Sequence, residues 1–187
     1  MGLNYPFLTY FILLLVTITP LIHTVGKTEQ WRTPILPELD IDNISHKLHD
    51  DPETIQMASR DYGHLMHEFP LAVFRPSSID DIATLIKSSY NSFAPFDIAA
   101  RGQGHSTHGQ AMARDGVVVD MASLREQRNG VAISVSKDLL MGHYADVGGE
   151  QLWIDVLHAT LEYGLAPVSW TDYLYLTVGG TLSNAGI

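Results

Sequence analysis

The run Arg101-Gly102-Gln103-Gly104-His105-Ser106-Thr107-His108-Gly109-Gln110 crowds three glycines and two small hydroxyl residues around an imidazole. Glycine reaches backbone angles closed to other residues and lets the main chain approach a ligand with no Cβ in the way. Successive N–H groups in such a turn form a concave anion site suited to a pyrophosphate. A histidine planted there, His105, adds a nucleophilic ring nitrogen beside whatever is bound. Together these residues point to a flavin nucleotide held by its phosphates and by a covalent bond to the ring. The plainer reading is an imidazole that only hydrogen-bonds within its turn. Two histidine pairs, His64 with His67 and His105 with His108, have spacings that suit a metal. Neither has a third ligand at a recognisable distance along the chain, so no metal is expected.

Strands and helices must position that turn. Asp97-Ile98-Ala99-Ala100 reads as a strand that delivers the chain directly into it. Upstream, Leu71-Ala72-Val73-Phe74 is a short apolar strand, and Ser78 followed by Asp81 resembles a capping box. Behind that cap, Ile79, Ile82, Leu85 and Ile86 recur at helical spacing and should face a sheet. An earlier helix is expected from Pro52 to about Tyr62, with Glu53 in its first turn. Gly116 to Met121 forms a further strand whose valines suit a buried position. Val131–Val135 and His143–Val147 read as two more strands joined by a turn. Gly149-Glu150 should open a helix carrying Leu152, Val156 and Ala159 on one face, ending near Gly164. Trp153 and Leu157 are expected in the core, and Gly179-Gly180 in a tight turn near the cofactor. Strands alternating with helices make an α/β or α+β domain.

A length of 187 residues suits one domain or part of one, and a hydrophobic fraction of 45% allows a packed core. The net charge of −10, from 11 Lys+Arg against 21 Asp+Glu, argues against nucleic acid as the main partner. With no cysteine there is no intrachain disulfide, and a core of this size does not need one. The first residues differ in kind: Phe7 to Thr19 is apolar and uncharged, and no Lys or Arg precedes Lys27. That length suits a secretory signal peptide over residues 1–26 better than a stable membrane anchor. Cleavage after Gly26 would send the protein to the extracellular space or the vacuole; an uncleaved anchor is the competing reading. Asn43-Ile44-Ser45 satisfies the N-glycosylation pattern. Residues 27–65 then form an N-terminal extension and first helix, and residues 66–187 the domain that holds the glycine loop.

Three segments, GQGHSTHGQA (102–111), DVGGEQLWIDVL (146–157) and WTDYLYLTVGGTLSNAGI (170–187), together resemble the plant cytokinin dehydrogenases. The similarity runs from about residue 50 to the end. It implies an α+β fold, the N-terminal part of an FAD-binding domain of the PCMH type, like that of vanillyl-alcohol oxidase. The family's chains continue much further, so the rest of that domain and the substrate domain are expected to be absent here. The activity implied is FAD-dependent oxidation of the N6 side-chain amine of an isoprenoid cytokinin to an imine. Water then releases adenine and an aldehyde, and oxygen or a quinone reoxidises the cofactor. A monomer is expected. By the same resemblance His105 carries FAD covalently, and Gly102, Gln103, Gly104, Ser106, Gln110, Thr177, Ser183 and Ile187 contact the cofactor. Asp172 matches the acid that orients the substrate amine, accepts its proton and borders the cofactor.

That role is physically coherent, because a carboxylate aimed at the N–H stabilises the cation forming as hydride leaves. Trp170 and Tyr173 would supply an apolar wall that disfavours the charged carboxylate. Asp172 could instead be an ordinary turn or helix cap. Gln103 stands where the family often has a basic residue. The other outcomes are an inactive truncated product that binds FAD at most, or an oxidase of another amine or alcohol in the same flavin superfamily.

Overall fold

The computed structural model describes residues 43–127, 133–138 and 142–186. The signal segment, the extension up to residue 42, Val131, Ala132 and Ile187 lie outside the described residues. In chain order the elements are β1 (Leu48–His49), α1 (Pro52–Ala58), β2 (Ala72–Phe74), α2 (Ile79–Asn91), β3 (Ile98–Arg101) and β4 (Val117–Asp120). Then follow α3 (Ser123–Gln127), β5 (Ile133–Asp138), β6 (Gly142–Val147), α4 (Trp153–Leu161) and α5 (Val178–Ser183). Among the described residues no helix is long and apolar enough to cross a membrane.

The main sheet has four strands in the order β1-β2-β4-β3. β2, β4 and β3 are parallel, with Val73 beside Val118 and Val118 beside Ala99, while β1 runs antiparallel on the β2 edge. Val117, Val118 and Val119 are all buried, as a central strand covered on both faces requires. One apolar cluster gathers Ala58, Val73, Ala113 and Val118, with Ile55 of α1 and Ala99 of β3 packed against it. β5 and β6 pair as a separate antiparallel hairpin, Ile133 opposite Val147. A second cluster of Trp153, Val156 and Val178 joins that hairpin to α4 and α5 through Ile133, Val147, Leu174 and Leu176.

Several sequence expectations are corrected. α1 starts as expected, with Asp51 accepting from the Thr54 N–H and Pro52 in the first turn, but it stops at Ala58 and not near Tyr62. The buried Asp61 carboxylate draws the chain away by accepting from the Leu65 and Met66 N–H groups. The Tyr62 N–H donates to the Ser106 carbonyl instead of to a helical turn. α2 has the expected Ser78/Asp81 capping box, yet Ile79 and Ile86 are 66% and 51% exposed. At about 100° per residue, Ile82, Leu85 and Ser89 fall within an arc of roughly 60°, which is the inward face; Ile79 and Ile86 lie on its flank.

α4 begins at Trp153, because Gly148–Gln151 closes a turn through the Gln151 N–H and the Gly148 carbonyl. It ends as glycine should end it: Gly164 has φ +64°, its N–H donates to Leu161 O, and the Leu165 N–H donates to Thr160 O. Trp153 is buried as expected, while Leu157 is only half-buried. Gly179 and Gly180 lie in the first turn of α5 and not in a tight turn.

Candidate cofactor site

β3 ends at Arg101, and the glycine loop leaves the sheet from there. Gly104 and Gly109 take φ values of +68° and +76°, in the left-handed region that side chains disfavour. A Cβ at Gly104 would run into the Arg101 guanidinium, and one at Gly102 into the Thr177 side chain. The loop therefore rests on Thr177, whose hydroxyl caps α5 by accepting from the Gly180 N–H at 3.3 Å. α5 is held from behind, its Gly179 N–H donating to the Gly149 carbonyl at 2.8 Å. Any side chain at Gly179 would meet that same carbonyl at 3.0 Å. Three segments far apart in sequence thus meet at one place.

His105 is half-buried in this loop, with Nδ1 3.2 Å from the Gln103 carbonyl. A carbonyl only accepts, so Nδ1 carries the proton in that contact and Nε2 keeps a lone pair in the neutral ring. Either nitrogen can act as nucleophile, Nδ1 only after giving up this bond. One face of the imidazole is stacked on Tyr62, with ring centroids 4.5 Å apart and planes 17° from parallel. Tyr173 stands at 5.4 Å with a tilt of 39°, and Tyr175 continues the aromatic series 5.9 Å beyond it. Tyr173 brings its neighbour Asp172 into the surroundings of His105.

Asp172 itself is exposed. Trp170 and Tyr173 are 39% and 50% exposed, so the expected apolar wall is not closed over the carboxylate. The turn that presents it is fixed by the Thr171 hydroxyl, which donates to Tyr173 O at 2.9 Å. Gln103 and Gln110 are exposed at the loop, and Gln110 Oε1 accepts from the His108 N–H. Ser183 is exposed at the end of α5, its hydroxyl donating to Gly179 O at 2.7 Å.

Beneath the loop, Ser106 Oγ, Arg101 Nη1 and Asp61 Oδ2 are buried with no hydrogen-bond partner among the described residues. Arg101 Nη2 donates to Met57 O at 3.1 Å. Burial pushes the guanidinium pKa down, opposed by Asp120 and Asp61. A buried polar atom left unpaired is costly, and the Ser106 hydroxyl is such an atom, with a hydrogen bond still to give. The unpaired Ser106 hydroxyl and a backbone turn that only glycine reaches at Gly104 and Gly109 are compatible with a dinucleotide cofactor. Among the described residues no three His, Cys, Asp or Glu side chains gather where they could hold an ion. His67 instead pairs with Ser59 Oγ at 3.0 Å, and His108 with Thr107 Oγ1 at 3.1 Å.

Tyr62 is the residue that sequence reasoning missed. It lies far from the loop along the chain, and no spacing marks it as a partner of His105.

Residues 70–187 match the family of FAD binding domains, and the chain belongs to that family. Among its relatives, it is 50% identical over 157 residues to cytokinin dehydrogenase 10 of Oryza sativa subsp. japonica, an alignment that takes in 82% of this chain and 28% of that one. With cytokinin dehydrogenase 3 of Arabidopsis thaliana it shares 47% over 176 residues, 94% of this chain and 32% of the relative. With rice cytokinin dehydrogenase 2 it shares 61% over 118 residues, 62% of this chain and 20% of the relative. The chain thus spans about a third or less of the relatives it matches.

Two solved structures share the fold. One is 6-hydroxy-D-nicotine oxidase from Arthrobacter nicotinovorans, with a TM-score of 0.53, 20% identity, and coverage of 70% of this chain and 26% of that one. The other is cholesterol oxidase from B. sterolicum, with a TM-score of 0.55, 14% identity, and coverage of 68% and 23%. The α+β fold expected from the sequence is the one shared with these two oxidases.

Proposed function

We propose that this chain is the cofactor-carrying part of a cytokinin dehydrogenase, oxidising the N6 side-chain amine of an isoprenoid adenine to an imine that water hydrolyses. The observation that carries the reading is the meeting of His105 and Tyr173, which joins the glycine loop to the Asp172 turn. Identity of 47–61% to cytokinin dehydrogenases supports the substrate class. FAD held there would supply a two-electron acceptor for the hydride leaving the carbon next to the amine nitrogen, and would itself be reoxidised by oxygen or a quinone.

The residues of the chain do the rest. Amides of the loop and the Ser106 hydroxyl hold the phosphates, and His105 holds the cofactor covalently. Gly102, Gln103, Gly104, Gln110, Thr177, Ser183 and Ile187 complete its surroundings. Asp172 accepts a hydrogen bond from the substrate N–H and takes its proton as positive charge builds on nitrogen. Its exposure suits a group waiting for substrate to cover it. We also assign residues 1–26 as a cleaved signal peptide, a secreted or vacuolar destination, a monomer, and Asn43 as a glycan acceptor. Exposure of Asn43 is what such an acceptor needs.

Asp172→Asn in the whole protein tests the reading, with turnover of an isoprenoid adenine followed at saturating acceptor. Loss of a positioned proton acceptor lowers kcat by roughly 10²-fold or more while FAD stays bound. Unchanged turnover would remove Asp172 from the reaction.

A further inference from the structure

We propose that Tyr62 is a positioning residue for His105, holding the imidazole in the orientation from which it bonds to the flavin. The inference rests on the covalent role of His105 given above. It adds a residue that lies outside the 70–187 segment matched to the FAD-binding family.

An imidazole on a glycine-rich turn has little to fix it, since neighbouring glycines offer no side chains to pack against. Here its orientation is fixed from three sides. Nδ1 is tied to the Gln103 carbonyl at 3.2 Å. Tyr62 covers one face, nearly parallel at 4.5 Å, and Tyr173 approaches at 5.4 Å with a tilt of 39°. Of the two tyrosines only Tyr62 is stacked, and it is attached to the loop by its own backbone. Its N–H donates to the carbonyl of Ser106, the residue after His105, at 3.0 Å. Ring and backbone of Tyr62 therefore register on the same dipeptide. The segment before it is anchored in turn by the buried Asp61, which accepts from the Leu65 and Met66 N–H groups.

That layout explains why α1 stops short: continuing the helix would carry Tyr62 away from the loop. It also gives a use to a large aromatic ring left 64% exposed, which contributes little to the core. The contact is ring on ring, so the stacking role needs the aromatic ring and not the hydroxyl.

The test compares Tyr62→Ala, Tyr62→Phe and His105→Ala, each made in the whole protein. Two quantities are read for each: total flavin after gel filtration, and flavin remaining in the acid-precipitated pellet. In Tyr62→Ala the ratio of pellet flavin to total flavin, sampled early in attachment, falls by roughly fivefold, the factor a ring pair of ordinary strength sets on an equilibrium. Tyr62→Phe restores the ratio. A residue needed only for folding would lower both quantities together and leave their ratio unchanged, and that result overturns the proposal. An equal loss in Tyr62→Phe also overturns it, because the ring would not be what matters. His105→Ala separates the two levels: pellet flavin persisting there defeats the covalent reading itself, whereas its loss with Tyr62→Ala at the wild-type ratio defeats only the role of Tyr62.

Discussion

His105 stands in a turn whose glycines Gly104 and Gly109 both take positive φ. Gly104 shows the cost of that turn. Its φ of +68° lies where an alanine pays roughly 1–2 kcal/mol, and an added Cβ would also push on the Arg101 guanidinium. That guanidinium cannot swing away freely, since it is part-buried and donates to Met57 O. Gly104→Ala should therefore lower both thermal stability and flavin content. A melting temperature and flavin-to-protein ratio equal to wild type would show that the loop tolerates a side chain there. Tyr62 was not legible in the sequence. Its partnership with His105 is a tertiary contact between segments with no periodic relation, and the isolated tyrosine carries no signature.

At the scale of elements, local chemistry was readable and tertiary rescue was not. α2 announced itself through Ser78 and Asp81, and both halves of the capping box form. Asp81 does more than cap: its carboxylate meets the Lys47 ammonium at 2.5 Å and accepts from the Ser77 N–H at 2.7 Å, tying the chain before β1 to the start of α2. Burial pushes its pKa up, but the hydrogen bonds from Lys47 and Ser77 outweigh this and hold it well below the usual carboxylate range.

A folded-state value below the unfolded one of about 3.9 means that this stabilisation is whole above the unfolded value and is lost as pH falls from there toward the folded one. Urea midpoints between pH 7 and pH 3 should drop on the acid side for the wild type. Asp81→Asn should begin less stable and show a flatter acid limb. An acid limb as steep as wild type would shift the linkage to other carboxylates. By contrast, α5 was hidden, because Gly179 and Gly180 are weak helix formers. Its helix is imposed by the Thr177 cap, the Gly149 carbonyl and the Trp153 indole donating to Thr181 Oγ1 at 2.9 Å.

For the molecule as a whole, the parallel core strands β2, β3 and β4 stood out as apolar runs, yet their order did not. β4 inserts between β2 and β3, and β1 adds two antiparallel residues to the edge; both depend on pairings between distant segments. What the fold achieves is convergence: the sheet launches the glycine loop, the Asp61 turn supports it from one side, and α5 with the Tyr173 turn closes it from another. The chain covers 28% and 32% of two of its cytokinin dehydrogenase relatives, and this convergence of the cofactor loop with the Asp172 turn occurs within that share.

The proposed bond between His105 and the flavin leaves its mark on the tryptic peptide bounded by Arg101 and Arg114, which contains both His105 and His108 and can be weighed by mass spectrometry. The expected result is a peptide carrying the added mass of the flavin nucleotide, with fragment ions placing it on His105. A wholly unmodified peptide from flavin-loaded protein, or a modification located on His108, would contradict it.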